Sequence, residues 1–186
     1  MYYDDDMDYI YCLVGKVSCT SWKRTLMMLS GKIDRARFRR PEQLPIGMVH
    51  DHRNSYVSRV ETLPQAERAW RFDRYFTFLF VREPLERLVS AYRNKVRRYN
   101  VTFAEFVRFV LDERAGGRVL DRHWCPQSEL CRVCRHRYDF VGHHESLQRD
   151  ARHVVDELKS RTADPERRRR VADLSLIHIS EPTRPY

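Results

Sequence analysis

Two short runs dominated by apolar residues, Tyr9–Val14 and Tyr75–Val81, break an otherwise highly charged chain. Both are rich in aromatic and β-branched residues, a composition that predicts strands buried on both faces. After each run the apolar period changes from continuous to helical. Beyond Gly15, the residues Trp22, Leu26 and Leu29 share one helical face, with Thr20 or Ser21 as N-cap and Ser30-Gly31 as the stop. Beyond Arg82, Pro84 takes a first helical position, and Leu85, Leu88, Val89, Tyr92 and Val96 line the apolar face of a second helix. Arg87, Ser90, Arg93 and Arg97 fall on its opposite face. The pattern also predicts a short helix over Leu63–Asp73 and a helix over Phe103–Leu111, capped by Thr102 with Glu105 three residues on and ended by Gly116-Gly117. A short strand over Tyr138–Gly142 and an amphipathic helix over Glu145–Leu158 follow. Pro41, Pro45 and Gly47 make residues 32–47 a loop. Strand-loop-helix units of this kind predict an α/β fold, a P-loop-like central parallel sheet with helices on both faces, in one domain over residues 1–173.

Composition narrows the class. A chain of 186 residues with 42% hydrophobic and 12% aromatic content can bury a core despite 33% charged residues. The formal charge of +9 fits either a solvated basic surface or an anionic partner: nucleic acid, membrane surface, nucleotide or acidic polysaccharide. No stretch approaches the roughly 20 apolar residues of a membrane span. Asp4, Asp5, Asp6 and Asp8 give the N-terminus the wrong charge for a signal peptide. The run Arg167–Arg170 reads as a solvated face. Residues 174–186 read as foreign, resembling the translation of a transposon-end adapter, and are set aside from the fold.

The chemistry concentrates after the first run. Gly15 is followed by Lys16, Ser18, Thr20 and Ser21 and then by a helix, an order that aims backbone N–H groups and a positive dipole end at one point. Such a point suits a phosphate or sulfate, although the spacing is not that of a Walker A loop. Arg82 stands at the corresponding place after the second run, where pairing with Glu86 is the bland alternative. Two histidines, His50 and His52, lie between the two units. Cys125, Cys131 and Cys134 with His123 and His136 allow either a zinc site of unusual spacing or a disulfide. Asn100-Val-Thr102 is a glycosylation acceptor pattern.

These residues resemble a known family. The segment Tyr11–Arg24, with Lys16-Val-Ser-Cys-Thr-Ser-Trp-Lys-Arg24 at its end, is similar to the 5′-phosphosulfate loop of the Golgi carbohydrate sulfotransferases, the chondroitin/dermatan 4-O and HNK-1 type. Phe80-Val-Arg-Glu-Pro-Leu-Glu-Arg-Leu-Val-Ser-Ala-Tyr-Arg-Asn-Lys95 is similar to their 3′-phosphate motif. His123-Trp124, Cys131/Cys134 and Tyr138-Asp-Phe-Val-Gly142 recur in the same order. Gly15, Ser18 and Ser21 depart from the family's Pro, Ala and Asn, departures expected to weaken donor binding. The resemblance implies 3′-phosphoadenosine 5′-phosphosulfate as donor, with no metal required. Lys16, Val17, Ser18, Cys19, Thr20 and Ser21 would hold its 5′-phosphosulfate, and Arg82, Arg87 and Ser90 its 3′-phosphate. Lys16 would act in catalysis and His50 as base, with His52 as competitor and Glu145 as a weaker alternative.

The acceptor implied is a glycan hydroxyl, foremost the 4-OH of N-acetylgalactosamine in chondroitin or dermatan, with Arg35, Arg37, Arg39 and Arg40 as a stripe that could meet the sugar. A lumenal Golgi location is implied, with Asn100 glycosylated and Cys131 in a disulfide, Cys134 and Cys125 being candidates beside it; Cys12 and Cys19 stay unassigned. The family's N-terminal membrane anchor and stem are not in this sequence, which the resemblance makes a fragment. Two rival readings are a basic nucleic-acid-binding module with a zinc-held cysteine loop, and a sulfotransferase remnant without activity.

Overall fold

The computed structural model describes residues 1–51 and 56–172; His52 and the 174–186 tail lie outside them. Five strands make one sheet: β1 (Tyr2–Asp4), β2 (Tyr9–Cys12), β3 (Ser58–Arg59), β4 (Phe76–Val81) and β5 (Phe140–His143). Their spatial order is β3-β1-β2-β4-β5. The three strands β2, β4 and β5 are parallel, with Tyr11 opposite Phe78 and Phe80 opposite Gly142. β1 is antiparallel to both its neighbours, so the sheet is mixed rather than wholly parallel. The cause is the acidic N-terminal segment. The Asp4 carboxylate accepts hydrogen bonds from the backbone N–H of Asp6 and Met7 at 3.0 and 3.1 Å, closing an Asx turn that folds β1 back onto β2.

Side chains alternate across β2 and β4, so each sheet face collects its own cover. On one face Trp22 of helix α1 (Cys19–Leu29) meets Phe78 and Phe80 at ring separations of 5.5 and 4.8 Å, and Tyr11 stacks on Phe78 at 5.0 Å. Leu147, Ala151, Val154 and Leu158 of α7 (Leu147–Arg161) complete that core. On the other face Ile10 packs with Val60 and Tyr75, and Phe72 of α3 (Gln65–Arg74) closes over them. Helices therefore flank both faces, as expected. Gly142 is required by packing: a Cβ there would sit 2.3 Å from Cε1 of Phe80.

The helix after β4 differs from its expected orientation. α4 (Pro84–Ala91) passes into a π-helical turn, Tyr92–Val96, and a short 3-10 turn, Arg97–Tyr99. Its buried residues are Arg87, Ser90 and Ala91, whereas Leu85, assigned above to the inward face, is 70% exposed. Leu88, Val89 and Tyr92 are half-buried and Arg93 is exposed, so the expected face is rotated rather than reversed; α4 leans on loop carbonyls that call for donors, which brings Arg87 and Ser90 inward. The helix α5 (Phe103–Ala115) begins at the expected capping box, with Thr102 and Glu105 exchanging hydrogen bonds. A short helix α2 (Ile46–His50) occupies the end of the segment expected to be loop. α6 (Gln127–Leu130) and α8 (Pro165–Ala172) complete the described elements. No helix among the described residues is long and apolar enough to cross a membrane.

Candidate active site

The loop from β2 to α1 lies at the carboxyl edge of the parallel strands, the edge where open α/β sheets bind ligands. Lys16 and Ser18 both adopt the left-handed region, with φ of 69° and 49°. Alternating the hand of the backbone turns neighbouring N–H groups toward one concavity, which is how a nest for an anion forms. Ser18, rather than Thr20 or Ser21, is the N-cap of α1, and it caps through backbone geometry rather than by a side-chain capping bond. The first turn, Cys19, Thr20 and Ser21, carries no acidic residue, so its N–H groups and dipole leave the loop electropositive.

Arg82, at the end of β4, reaches the same loop: its Nη1 lies 3.5 Å from the carbonyl oxygen of Lys16. Its Nε also lies 3.4 Å from Glu86 Oε2, so the ion pair and the approach to the loop coexist. The backbone of Arg82 is clasped by the Gln127 amide, which accepts from its N–H at 3.0 Å and donates to its carbonyl at 2.8 Å. Gln127 gave no signal in the sequence, because its partner is main chain. Glu145, the weaker base alternative, accepts from the Glu83 N–H at 2.9 Å, and this bond holds its carboxyl below the usual carboxylate range. That places Glu145 on the turn before α4 as an ionised backbone acceptor.

Arg87 and Ser90 project from the buried side of α4, but Arg87 is not placed as expected. Its guanidinium donates from Nε to Gly15 O at 2.9 Å, from Nη1 to Cys125 O at 2.9 Å and from Nη2 to Arg122 O at 3.0 Å. Burial pushes its pKa down, yet a guanidinium keeps its charge. Arg87 thus underpins the loop, and a role on the 3′-phosphate would have to compete with three carbonyls.

Two imidazoles flank the loop. Lys23 donates to Val49 O, and Arg24 donates twice to Leu44 O at 3.1 and 2.9 Å; together they draw α2 against α1. That docking sets His50 Nε2 3.3 Å from Thr20 Oγ1. On the opposite rim, His123 Nδ1 lies 2.6 Å from Asp121 Oδ1, which also accepts the His123 N–H at 2.8 Å. Its Cδ2 lies 3.4 Å from where a Cβ on Gly15 would be. Burial pulls the His123 pKa below that of a free imidazole, and the Asp121 carboxylate opposes the shift. The sequence marks His123 both as a family motif residue beside Trp124 and as a member of the cysteine-histidine set; the spacing Asp121-Arg-His123 was the available signal for its pairing with Asp121.

Cys131 is in a disulfide, as expected, but with a partner that the sequence leaves unassigned. Cys131 is bonded to Cys12, across a sequence separation of 119, while Cys125, Cys134 and Cys19 are free thiols. Cys125 and Cys134 are therefore not its partners, and zinc ligation by Cys131 is excluded by the bond itself. Among the described residues no three His, Cys, Asp or Glu side chains gather as a metal site. Asn100 sits exposed in a left-handed turn ahead of the Thr102 cap. The Arg35–Arg40 stripe lies between the C-terminus of α1 and the 3-10 turn Pro41–Gln43, which packs back against α1.

With this geometry in place, comparison with known proteins is decisive. The sequence model described as "Sulfotransferase family" matches residues 1–174. The chain belongs to the sulfotransferase family. Carbohydrate sulfotransferase 14 of Homo sapiens is 37% identical over 182 residues, covering 84% of this chain and 46% of that protein. Carbohydrate sulfotransferase 11 of Danio rerio is 36% identical over 183 residues (82% and 51%), and carbohydrate sulfotransferase 10 of Homo sapiens 30% over 187 (82% and 51%). The chain spans about half the length of these curated relatives. No solved structure matches it.

Proposed function

We propose that this sulfotransferase domain moves a sulfuryl group from 3′-phosphoadenosine 5′-phosphosulfate to a glycan hydroxyl, the 4-OH of N-acetylgalactosamine in chondroitin or dermatan being the acceptor to test first. The observation that carries the reading is the meeting of the two strand-loop-helix units, with Arg82 Nη1 3.5 Å from the carbonyl of a left-handed Lys16. A two-ended anion needs two such positive points. The residues present fit the donor: the nest at Lys16–Ser18 and the first turn of α1 for the phosphosulfate, Arg82 and Ser90 for the 3′-phosphate. The donor supplies the activated sulfuryl group; the remaining tasks fall to side chains. Lys16 would offset charge on the departing bridging oxygen, as cations do in phosphoryl transfer. His50, aligned by Thr20, would take the proton of the acceptor hydroxyl.

The Cys12–Cys131 bond supports an oxidising, lumenal compartment, in keeping with a Golgi enzyme glycosylated at Asn100. The test is transfer of labelled sulfate across desulfated chondroitin, dermatan and glucuronyl-terminated glycans. Transfer by the native chain that falls at least a hundredfold in Lys16→Ala and Arg82→Ala is expected. Unchanged transfer in those variants would sink the assignment.

A further inference from the structure

The carboxyl edge of the sheet carries a second feature. On the β1–β3 side of β2, away from Arg82, lies a cavity of about 820 Å³. Four arginines line it: Arg59 at the end of β3, Arg68 on α3, and Arg122 and Arg132 from the segment after α5. Glu61 is the one carboxylate among its lining residues. Two donors of Arg68 go to the carbonyls of Leu63 and Glu61, so its charge is oriented but not neutralised. The cations also act on one another. Lys23, on the adjoining face of Tyr2, has its pKa lowered first by burial and then by Arg122 and Arg59. Gathering like charges costs free energy that a polyanion would offset.

The cavity is continuous with the transfer loop. Leu13 lines it two residues before Gly15, and so does Arg122, whose carbonyl lies 3.3 Å from a Cβ placed on Gly15. Phe72 and His136 both line the cavity, their rings stacked on one another at 4.2 Å with an interplanar angle of 8°. Burial, then Arg132 and Arg135, lower the His136 pKa, which favours its neutral ring, so this stacked pair gives the cavity an apolar side among its arginines.

Building on the sulfuryl-transfer reading, we propose that this cavity is the acceptor subsite and binds a uronate-bearing stretch of the glycan. Its carboxylates meet Arg59, Arg122 and Arg132, a pyranose rests beside the Phe72–His136 pair, and the neighbouring sugar presents its hydroxyl at the Lys16 loop. The Arg35–Arg40 stripe, which is not among the residues lining this cavity, is then not the primary acceptor contact.

The experiment has a binding arm and a kinetic arm, both on the full chain. Titration of desulfated chondroitin oligosaccharide into native protein and Arg59→Ala/Arg132→Ala should show affinity falling about tenfold or more in the variant. Titration of 3′-phosphoadenosine 5′-phosphate should give equal affinity in both, which also reports that the variant is folded. In transfer assays the variant should raise KM for chondroitin at constant kcat, with no effect on a carboxyl-reduced acceptor. Equal chondroitin affinity in native and variant protein overturns the proposal. So does a loss of nucleotide affinity in the variant, which would make the cavity part of the donor site. Nucleotide binding without transfer to any glycan would instead overturn the sulfuryl-transfer reading, while the chondroitin titration still decides the cavity.

Discussion

Arg87 and Gly15 are 72 residues apart, yet the Arg87 Nε–H donates to the Gly15 carbonyl at 2.9 Å, and its two remaining nitrogens hold the carbonyls of Cys125 and Arg122. One planar side chain thereby joins the loop after β2, the helix after β4 and the His123 segment. It also leaves a fixed positive charge beneath the anion nest, with carbonyl dipoles rather than a carboxylate as its partners.

Arg87→Met should therefore lose stability and donor affinity together. Three carbonyls would lose their donors, which predicts a destabilisation of about 3 kcal/mol or more in urea unfolding. Nucleotide affinity should fall at least tenfold by calorimetry as the loop relaxes. Arg87→Lys keeps the charge but not the fork, and should recover less than half of either loss. Arg82→Ala should lower nucleotide affinity with little change in the unfolding midpoint. Normal affinity in Arg87→Met would show that the loop holds its shape unaided.

The Cys12–Cys131 bond joins the last residue of β2 to the segment that supplies Arg122, His123 and Gln127. It closes a loop of more than 100 residues, for which chain entropy alone predicts about 4–5 kcal/mol. Reduction, or Cys131→Ser, should lower the unfolding free energy by a substantial part of that. Cys134→Ser, at an exposed free thiol, should leave it unchanged. Peptide mapping under non-reducing conditions should recover Cys12 with Cys131. A bond between Cys131 and Cys134 would refute the assignment.

His50 is held to Thr20 by a contact between two helices, and its assigned task is proton removal. His50→Gln should lower kcat by about 10²–10⁴-fold, the usual contribution of a general base, and leave nucleotide affinity intact. Thr20→Val should give a smaller loss of the same kind, since it frees the ring without removing it. If His123→Gln lowers kcat and His50→Gln does not, the base belongs to the other rim of the loop.

These residues also show what the sequence could carry. Strand-loop-helix units were legible because continuous apolar runs give way to helical periods at Gly15 and Arg82. The Thr102–Glu105 box was legible because both partners are local. The α4 face is legible only in part, since the rule that apolar residues point inward fails where the helix meets loop carbonyls: Leu88, Val89 and Tyr92 are half-buried, but Arg87 and Ser90 turn in and Leu85 turns out. Left-handed Lys16 and Ser18 are invisible in composition because neither is glycine. Cys12 had no visible partner because the fold, not the spacing, brings Cys131 to it. Gln127 acts on main chain, which leaves no pattern of complementary side chains to find.

The last prediction concerns acid. His123 and His136 both have pKa values lowered in the folded chain, by burial first in each case. A lowered histidine pKa means the fold prefers the neutral ring, so its contribution is complete above the unfolded value of about 6.5 and is lost as pH falls through that value toward the folded one. The carboxylates with lowered pKa, Asp5 beside Arg71 among them, lose their contribution in a separate window below about pH 4. Unfolding free energy should therefore fall as pH drops through about 6.5, before carboxylate protonation begins. A His123→Gln/His136→Gln variant should flatten that part of the profile and keep the steeper loss below pH 4. Stability that rises on acidification through this window, or a double variant with the native slope, would show that the two imidazoles are as easily protonated in the fold as in the open chain.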